Sequence, residues 1–197
     1  MITSTSRIRA VLAAVLLGLT LSGCGYNNIP SHEEQAKAKW ADVQNNYQRR
    51  ADLIPNLVST VQGYARQERD VLTAVVEARA KATQVRIDAS QLTDPDKLKQ
   101  FQDAQNQLSG ALSRLLVTVE RYPELKSNQN FLALQSQLEG TENRITVERR
   151  RFNESVREYN TRLRLFPGSL VARVSGYQPK AFFEAAPDAA TVPKVKF

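Results

Sequence analysis

Residues 127–166 read SNQNFLALQSQLEGTENRITVERRRFNESVREYNTRLRLF, and this stretch decides the fold. Apolar and aromatic residues recur in it at steps of three, four and seven: Phe131, Leu134, Leu138, Ile145, Phe152, Val156, Tyr159 and Leu163. This spacing places them on one face of a long α-helix. Pro167 and Gly168 end the pattern. Because only one face is apolar, the helix needs partner helices along its length.

The same spacing precedes this helix twice. A capping-box sequence at Ser31–Glu34 begins a pattern that continues to about Arg86, which predicts one helix of roughly 80 Å. Pro55 lies inside it, and because proline lacks an amide hydrogen we expect a kink near Ala51 to Pro55. The next pattern begins at Asp94–Pro95, a cap residue followed by proline.

The connections between these patterns are short, which favours antiparallel neighbours. The sequence therefore predicts an all-α fold, an elongated antiparallel bundle of three long helices spanning residues 31–176. A short fourth helix is expected at Ser169–Val174. Residues 177–197 are expected to form an extended, partly mobile tail, in which Tyr177, Phe182 and Phe183 are candidates for packing on the bundle.

The amino terminus has the three parts of a secretory signal. Arg7 and Arg9 precede an uncharged apolar run, and Leu21-Ser22-Gly23-Cys24 has the form of a lipobox. The run of about 12 residues is roughly 18 Å long as a helix, too short for a hydrocarbon core of about 30 Å. These features predict a signal peptide at residues 1–23 and a lipidated tether at residues 24–30, with Cys24 as the acylated residue. An uncleaved anchor is the alternative.

The predicted lipid anchor places the protein on a bacterial cell membrane. Two or three acyl chains make such attachment stable. Gly25 follows Cys24, where the usual signal for inner-membrane retention is aspartate, so in a cell with two membranes we expect the outer membrane.

Charge argues against a nucleic-acid partner. The chain has 27 basic and 20 acidic residues. Arg7 and Arg9 are two of the basic residues, so residues 24–197 carry a net charge of +5. Basic and acidic residues alternate at helical spacing, as in Glu154, Arg157 and Glu158, which is typical of a solvated helix face.

Two helices carry polar residues beside their apolar stripes. In the third helix they follow steps of seven, four and seven: Glu142, Arg149, Asn153 and Asn160. In the first helix they surround the proline: Arg50, Asp52 and Asn56. Seven residues return a helix nearly to the same face, so in an antiparallel bundle the two groups are expected to meet. Two interpretations remain open, a hydrogen-bonded set that fixes helix register and a polar ligand site inside the bundle.

The sequence does not predict an enzyme. The single histidine, His32, is expected to be exposed at the start of the first helix, and acylation of Cys24 leaves no thiol nucleophile. No cluster of metal-ligand spacing and no phosphate-binding glycine loop occurs, so no metal or cofactor is expected.

Four ordered blocks of sequence resemble the LemA family of bacterial membrane-associated helical proteins. They are Arg50-Ala51-Asp52-Leu53-Ile54-Pro55-Asn56-Leu57-Val58, Tyr122-Pro123-Glu124-Leu125-Lys126 with Asn130-Phe131, Leu138-Glu139-Gly140-Thr141-Glu142-Asn143-Arg144-Ile145, and Arg150-Arg151-Phe152-Asn153 through Tyr159-Asn160. The family often has His-Glu where this chain has Gln67-Glu68, and tyrosine where it has Phe152.

The resemblance implies an antiparallel helical bundle held at a membrane by its N-terminus. It implies envelope proteins as partners, among them a TPM-domain protein or a membrane protease. It brings no established biochemical activity. We therefore expect a non-catalytic interaction or scaffold protein of the envelope. A module that binds or senses a small ligand through the polar set is the alternative, and self-association remains open.

Overall fold

The computed structural model describes residues 28–184 of the 197-residue chain. The predicted signal peptide, Cys24 and residues 185–197 lie outside this part. The elements are α1 (Asn28–Tyr64), α2 (Arg69–Gln84), a 3₁₀-helix (Ala89–Thr93), α3 (Pro95–Val119), α4 (Pro123–Lys126), α5 (Gln129–Arg164) and α6 (Gly168–Ser175). Residues 28–184 contain no β-strand, which confirms the all-α prediction. None of these helices is both long and apolar enough to cross a bilayer.

The predicted first helix is two helices, so the single 80 Å element was wrong. The chain already is helical at Asn28, before the predicted cap at Ser31, and α1 continues without interruption through Pro55. It ends at Tyr64, and after a turn α2 runs back along α1. Because Pro55 has no amide hydrogen, it cannot donate to the Ala51 carbonyl one turn earlier. The Arg79 Nε of α2 donates to this carbonyl at 2.8 Å.

The later helices begin where their cap residues indicate. The Asp94 carboxylate accepts from the backbone amides of Asp96 and Lys97 at the start of α3. The Asn128 side chain accepts from the Phe131 amide at the start of α5. These bonds satisfy amides that have no partner within the helix.

The helices alternate in direction, which confirms the antiparallel bundle. Arg50 of α1 contacts Glu142 of α5, and Tyr64 at the end of α1 accepts from Asn128 at the start of α5. The α1 and α5 helices run the full length of the bundle. The shorter α2 accompanies them only over the half that contains the α1–α2 turn, whereas α3 also reaches the other half with its first turns. We call the half that contains this turn the distal half, and we call the half that contains Asn28 and α6 the basal half.

The two halves have different cores. The distal core is mainly aliphatic, with Ile54, Leu57, Val61, Val75, Leu108 and Leu115 fully buried. The basal core is a cluster of aromatic rings: Trp40, Tyr47, Phe101, Phe152 and Phe183. The Trp40 ring lies 5.4 to 5.8 Å from the rings of three of them, Phe101, Phe152 and Phe183. Such tilted and edge-on pairs are favoured beyond the area they bury.

An extended segment closes the basal half in place of a fourth helix. Residues 177–184, which we call the C-terminal segment, leave α6 and run back beside α5. Gly176, with φ +73°, ends α6 in the left-handed region that glycine adopts without strain. Phe183 is buried and Phe182 is 45% exposed, so only the first packs into the aromatic cluster. The Ala181 amide donates to the Leu92 carbonyl at 2.8 Å, which ties the segment to the 3₁₀-helix.

Candidate functional site

A buried arginine joins three helices at the junction of the two halves. Arg50 of α1 is 1% exposed. Its Nη1 donates to Ser109 Oγ of α3 and to Glu142 Oε2 of α5, both at 2.8 Å. Its Nη2 donates to the Gln105 side-chain oxygen at 2.8 Å and to the Gln105 carbonyl at 3.2 Å. The guanidinium also lies over the Tyr47 ring, 5.1 Å from its centre.

Gln105 extends these contacts to a fourth helix of the bundle, α2. Its side-chain amide donates to the Ala82 carbonyl of α2 at 3.0 Å. One polar residue in the α3 stripe therefore accepts from α1 and donates to α2. Sequence analysis did not select Gln105 for this role. The signal was a polar residue at a stripe position shared with Leu98, Phe101 and Leu108. We call Arg50, Gln105, Ser109 and Glu142 the arginine network.

The structure separates the predicted polar set into parts. Arg50 and Glu142 meet, as the antiparallel arrangement led us to expect. Asp52 and Asn56 are exposed and lie outside the network. Asp52 accepts a hydrogen bond from Gln48 one turn earlier. Both residues are on α1 faces turned away from α5, since the buried positions of this turn are Arg50, Ala51 and Ile54.

The other polar residues of α5 hold the C-terminal segment. Asn153 donates to the Phe183 carbonyl and accepts from the Phe183 amide. Asn160 makes the same pair of bonds with Lys180, at 2.9 Å each. Arg149 donates to the Glu184 carbonyl and lies over the Phe183 ring at 4.7 Å. Each asparagine thus supplies the hydrogen-bond donor and acceptor that a neighbouring strand would otherwise supply to the extended backbone.

A second buried cation lies near the base, and sequence analysis missed it. Lys180 is 5% exposed, pairs with Glu33 at 3.1 Å and lies 5.0 Å from the centre of the Tyr159 ring. Burial, with the charge of Glu33 as a smaller cause, raises the pKa of Tyr159 to about 12. No spacing marks Lys180 in the sequence, because it belongs to a segment without periodicity.

His32 is less exposed than the sequence predicted. Its side chain is 16% exposed and its Nδ1 is 3.8 Å from Glu158 of α5. Within residues 28–184, no group of three or more histidine, cysteine or acidic side chains is arranged to hold a metal ion.

A shallow groove opens beside the arginine network. It has a volume of about 250 Å³ and is lined by Leu112 and Leu116 of α3 and Leu138 of α5, with Arg50 and Glu142 at its polar end. Arg50 Nε is buried and has no hydrogen-bond partner among the described residues. Sites for drug-sized ligands are usually about 300–1,000 Å³, so this groove has room for a small ligand only.

The family model for the LemA family matches residues 39–197. The chain belongs to the LemA family. Among curated proteins, it is 25% identical over 178 residues to the magnetosome protein MamQ of Magnetospirillum gryphiswaldense, covering 82% of this chain and 65% of that protein. It is 23% identical over 203 residues to magnetosome proteins MamQ 1 and MamQ 2 of Paramagnetospirillum magneticum, covering 95% of this chain and 72% of each.

The blocks that resemble the LemA family include residues from both sides of the main contacts. Arg50 belongs to the first block and Glu142 to the third, so the ion pair joins two blocks. Asn153 and Asn160 belong to the fourth. Phe152, one departure from the family pattern, is fully buried against Trp40. The other departure, Gln67, precedes Glu68, which matches the pattern. Glu68 accepts from the Tyr122 hydroxyl at 2.7 Å and thereby holds the α1–α2 turn to the end of α3.

Proposed function

We propose that this LemA-family chain is an envelope lipoprotein, anchored through Cys24, that acts as a non-catalytic interaction or scaffold protein. Its partner is another envelope protein, for which a TPM-domain protein or a membrane protease is the first candidate. The anchor lies in the outer membrane where the cell has two membranes, because Gly25 does not supply the aspartate of inner-membrane retention.

The hydrogen bonds made by Arg50, Asn153 and Asn160 carry this proposal. Both terminal nitrogens of Arg50 are fully engaged, and the amides of Asn153 and Asn160 are engaged at both oxygen and nitrogen. General acid–base and nucleophilic catalysis need a group that is free to exchange a proton or attack a substrate. Of the residues that sequence analysis singled out, Arg50, Glu142, Arg149, Asn153 and Asn160 instead join helices or hold the C-terminal segment, and Asp52 and Asn56 lie apart from these contacts.

The length of the bundle supports a scaffold role. The 37 residues of α1 give a length of about 55 Å. Asn28 is the fourth residue after Cys24, so an anchor at Cys24 keeps the basal end at the membrane. The α1–α2 turn and the start of α5 are then the parts farthest from the bilayer, where a second envelope protein has access to them.

Acyl labelling tests the anchor. Cells that express the chain are fed an alkyne analogue of palmitate, and we expect label on the wild-type chain and none on Cys24→Ser. Gly25→Asp is the matched test of sorting, and it is expected to keep the label while moving the protein to the inner membrane. Equal labelling of Cys24→Ser and wild type would contradict the anchor.

Photo-crosslinking in cells tests the scaffold role. A photoreactive amino acid is placed at Val117, which is 73% exposed in the distal half, and at Phe182, which is 45% exposed in the basal half. We expect one reproducible membrane protein to be captured from Val117 and not from Phe182. Capture of the same chain alone would indicate self-association in place of a separate partner.

Ligand binding in the groove is the second candidate, favoured by the unpartnered Arg50 Nε. Leu138→Trp fills the groove, whereas Leu132→Trp, on the same helix, adds the same ring at a position 42% exposed. If a small ligand copurifies with the wild-type chain, we expect it to be lost from the first variant and kept by the second. Equal ligand content in all three proteins would remove this candidate.

A further inference from the structure

The exposed apolar side chains of the basal end form a patch. Leu165 is 54% exposed, Phe166 81%, Leu170 55% and Val174 87%. All four fall within the ten positions 165–174. The other large hydrophobic side chains that are exposed in residues 28–184 are dispersed along the chain. Leu170 and Val174 are one turn apart on α6, and the opposite face of α6 buries Gly168 and Ala172. We call these four exposed side chains the basal patch.

The basal patch lies beside the start of α1. Ile29, Tyr159 and Ala172 form one buried cluster, so α6 packs directly on the first turn of α1. A side-chain carbon at Gly168 would be 3.7 Å from Ile29 Cδ1. Cys24 precedes Asn28 by four residues, which span at most roughly 14 Å when extended. A lipid on Cys24 therefore keeps the bilayer surface within reach of the patch.

Local contacts fix the patch in place. A side-chain carbon at Gly168 would be 2.2 Å from the Arg162 carbonyl, so only glycine permits this close turn from α5 to α6. The Tyr177 amide donates to the Ala172 carbonyl at 3.1 Å, and the Tyr159 hydroxyl donates to the Gln178 carbonyl at 3.1 Å. The apolar side chains are thus exposed on a helix, α6, whose position is fixed by these contacts.

Three exposed arginines lie close to the patch along the chain, at positions 162, 164 and 173. None of them forms an ion pair with a carboxylate of residues 28–184, although Arg151 and Arg157 on the same helix do. An apolar face bordered by arginine is the composition of elements that lie in a membrane interface, with the apolar side chains below the headgroups and the cations at lipid phosphates.

We propose that the basal patch inserts into the headgroup region of the bilayer that holds the Cys24 lipid, with Arg162, Arg164 and Arg173 at anionic phospholipid. The occupant is the lipid surface, because the tether holds the patch at that surface and the positive arginine charges are opposite in sign to anionic phospholipid. This inference rests on the proposed lipid anchor. Together, the lipid and the patch give the bundle two points of attachment and so a fixed orientation.

Fluorescence quenching tests this contact. The lipidated full chain carries Leu170→Cys, labelled with a polarity-sensitive dye, because acylation leaves Cys24 without a free thiol. It is reconstituted in vesicles of equal parts phosphatidylethanolamine and phosphatidylglycerol with a nitroxide lipid at shallow depth. We expect several-fold stronger quenching at position 170 than for the matched Val117→Cys chain, and weaker quenching in vesicles without phosphatidylglycerol.

The outcomes separate this inference from the anchor. A chain that lacks acyl label and leaves the vesicle fraction refutes the anchor. A chain that is labelled and vesicle-bound, but is quenched equally at positions 170 and 117, refutes the patch contact alone. Concentration-dependent crosslinks between two copies at position 170, without quenching, would assign the patch to a second copy of the chain. Arg173→Gln is expected to reduce the quenching at position 170 without changing the melting temperature.

Discussion

The distal and basal halves of the bundle close their cores in different ways. In the distal half, four helices meet mainly through aliphatic side chains. In the basal half, α1, α5 and the start of α3 leave a gap that the C-terminal segment fills with Phe183 and a set of side-chain bonds to its backbone. The difference shows that helical spacing identifies core residues where helices meet, but does not identify an extended segment that completes a core.

Phe183→Ala is expected to have the largest effect, because it removes the ring through which the C-terminal segment enters the basal core. Phe183 is 5% exposed and its ring lies 5.6 Å from that of Phe152. Replacing a buried phenylalanine with alanine costs roughly 3–5 kcal/mol of unfolding free energy. Urea denaturation measures it. Phe182→Ala is the control, and its cost should be much smaller because that residue is 45% exposed and lies outside the aromatic cluster. Equal losses in the two variants would show that Phe183 does not enter the core.

Arg50→Met tests the junction between the halves. It leaves the Gln105 and Ser109 oxygens without their donor, and the loss is expected to be about 2–3 kcal/mol. Glu142 is half exposed and regains water, which keeps the cost below that of a fully buried pair. Arg49→Met, an exposed neighbour on α1, is the control. Thermal melts followed by circular dichroism measure the difference, and a change no larger than that of the control would show that the network is not a stabilising junction.

Asn153→Ala tests whether side-chain bonds hold the C-terminal segment. The variant leaves the Phe183 amide and carbonyl unpaired, and the expected loss is roughly 1–3 kcal/mol. Hydrogen exchange should show faster exchange at Phe183 with little change at the α2 amides of the distal half. Asn143→Ala, at an exposed position of α5, is the control. Uniformly faster exchange through both halves would mean that they unfold as one unit.

Tyr159→Phe is expected to give the smallest effect. Loss of the hydroxyl bond to the Gln178 carbonyl costs about 1 kcal/mol at neutral pH, and the pH dependence changes only in alkaline solution. The pKa of Tyr159 rises from the usual 10.0 to about 12 in the folded chain. Below pH 10 both states keep the proton, so this group makes no pH dependence. Between pH 10 and 12 only the unfolded state loses it, and stability falls as pH rises. The melting temperature of Tyr159→Phe should therefore fall less over this interval than that of wild type. Parallel curves would contradict the raised pKa.

Sequence analysis predicted most accurately the helices whose boundaries are marked by residue type as well as by apolar spacing. The α3 and α5 helices begin at capping side chains, Asp94 and Asn128, and α6 ends at Gly176; all three helices lie close to their predicted bounds. The first helix was wrong because the apolar stripe continues on both sides of the turn after Tyr64, so spacing alone did not reveal the reversal. Pro55 was taken as the irregular point, yet a neighbouring helix satisfies the carbonyl that it leaves free.

The candidate site was predictable only where both partners lie on helices. Arg50 and Glu142 occupy helical positions, and an antiparallel arrangement was enough to bring them together. The positions of Asn153 and Asn160 beside the apolar stripe were visible, but their partners were not, because backbone groups of an extended segment leave no pattern in the sequence. Asp52 was included by its position near Pro55, although its helical face points to solvent.

The bond from Arg79 to the Ala51 carbonyl has a consequence for the order of folding. Residues 28–64 are synthesised before α2, and until α2 is present the carbonyl opposite Pro55 has only water as a partner. The middle of α1 therefore reaches its final hydrogen bonding only after Arg79 has been made and α2 has turned back. The hydrogen bonding of the longest helix is thus completed by a side chain of the helix that follows it.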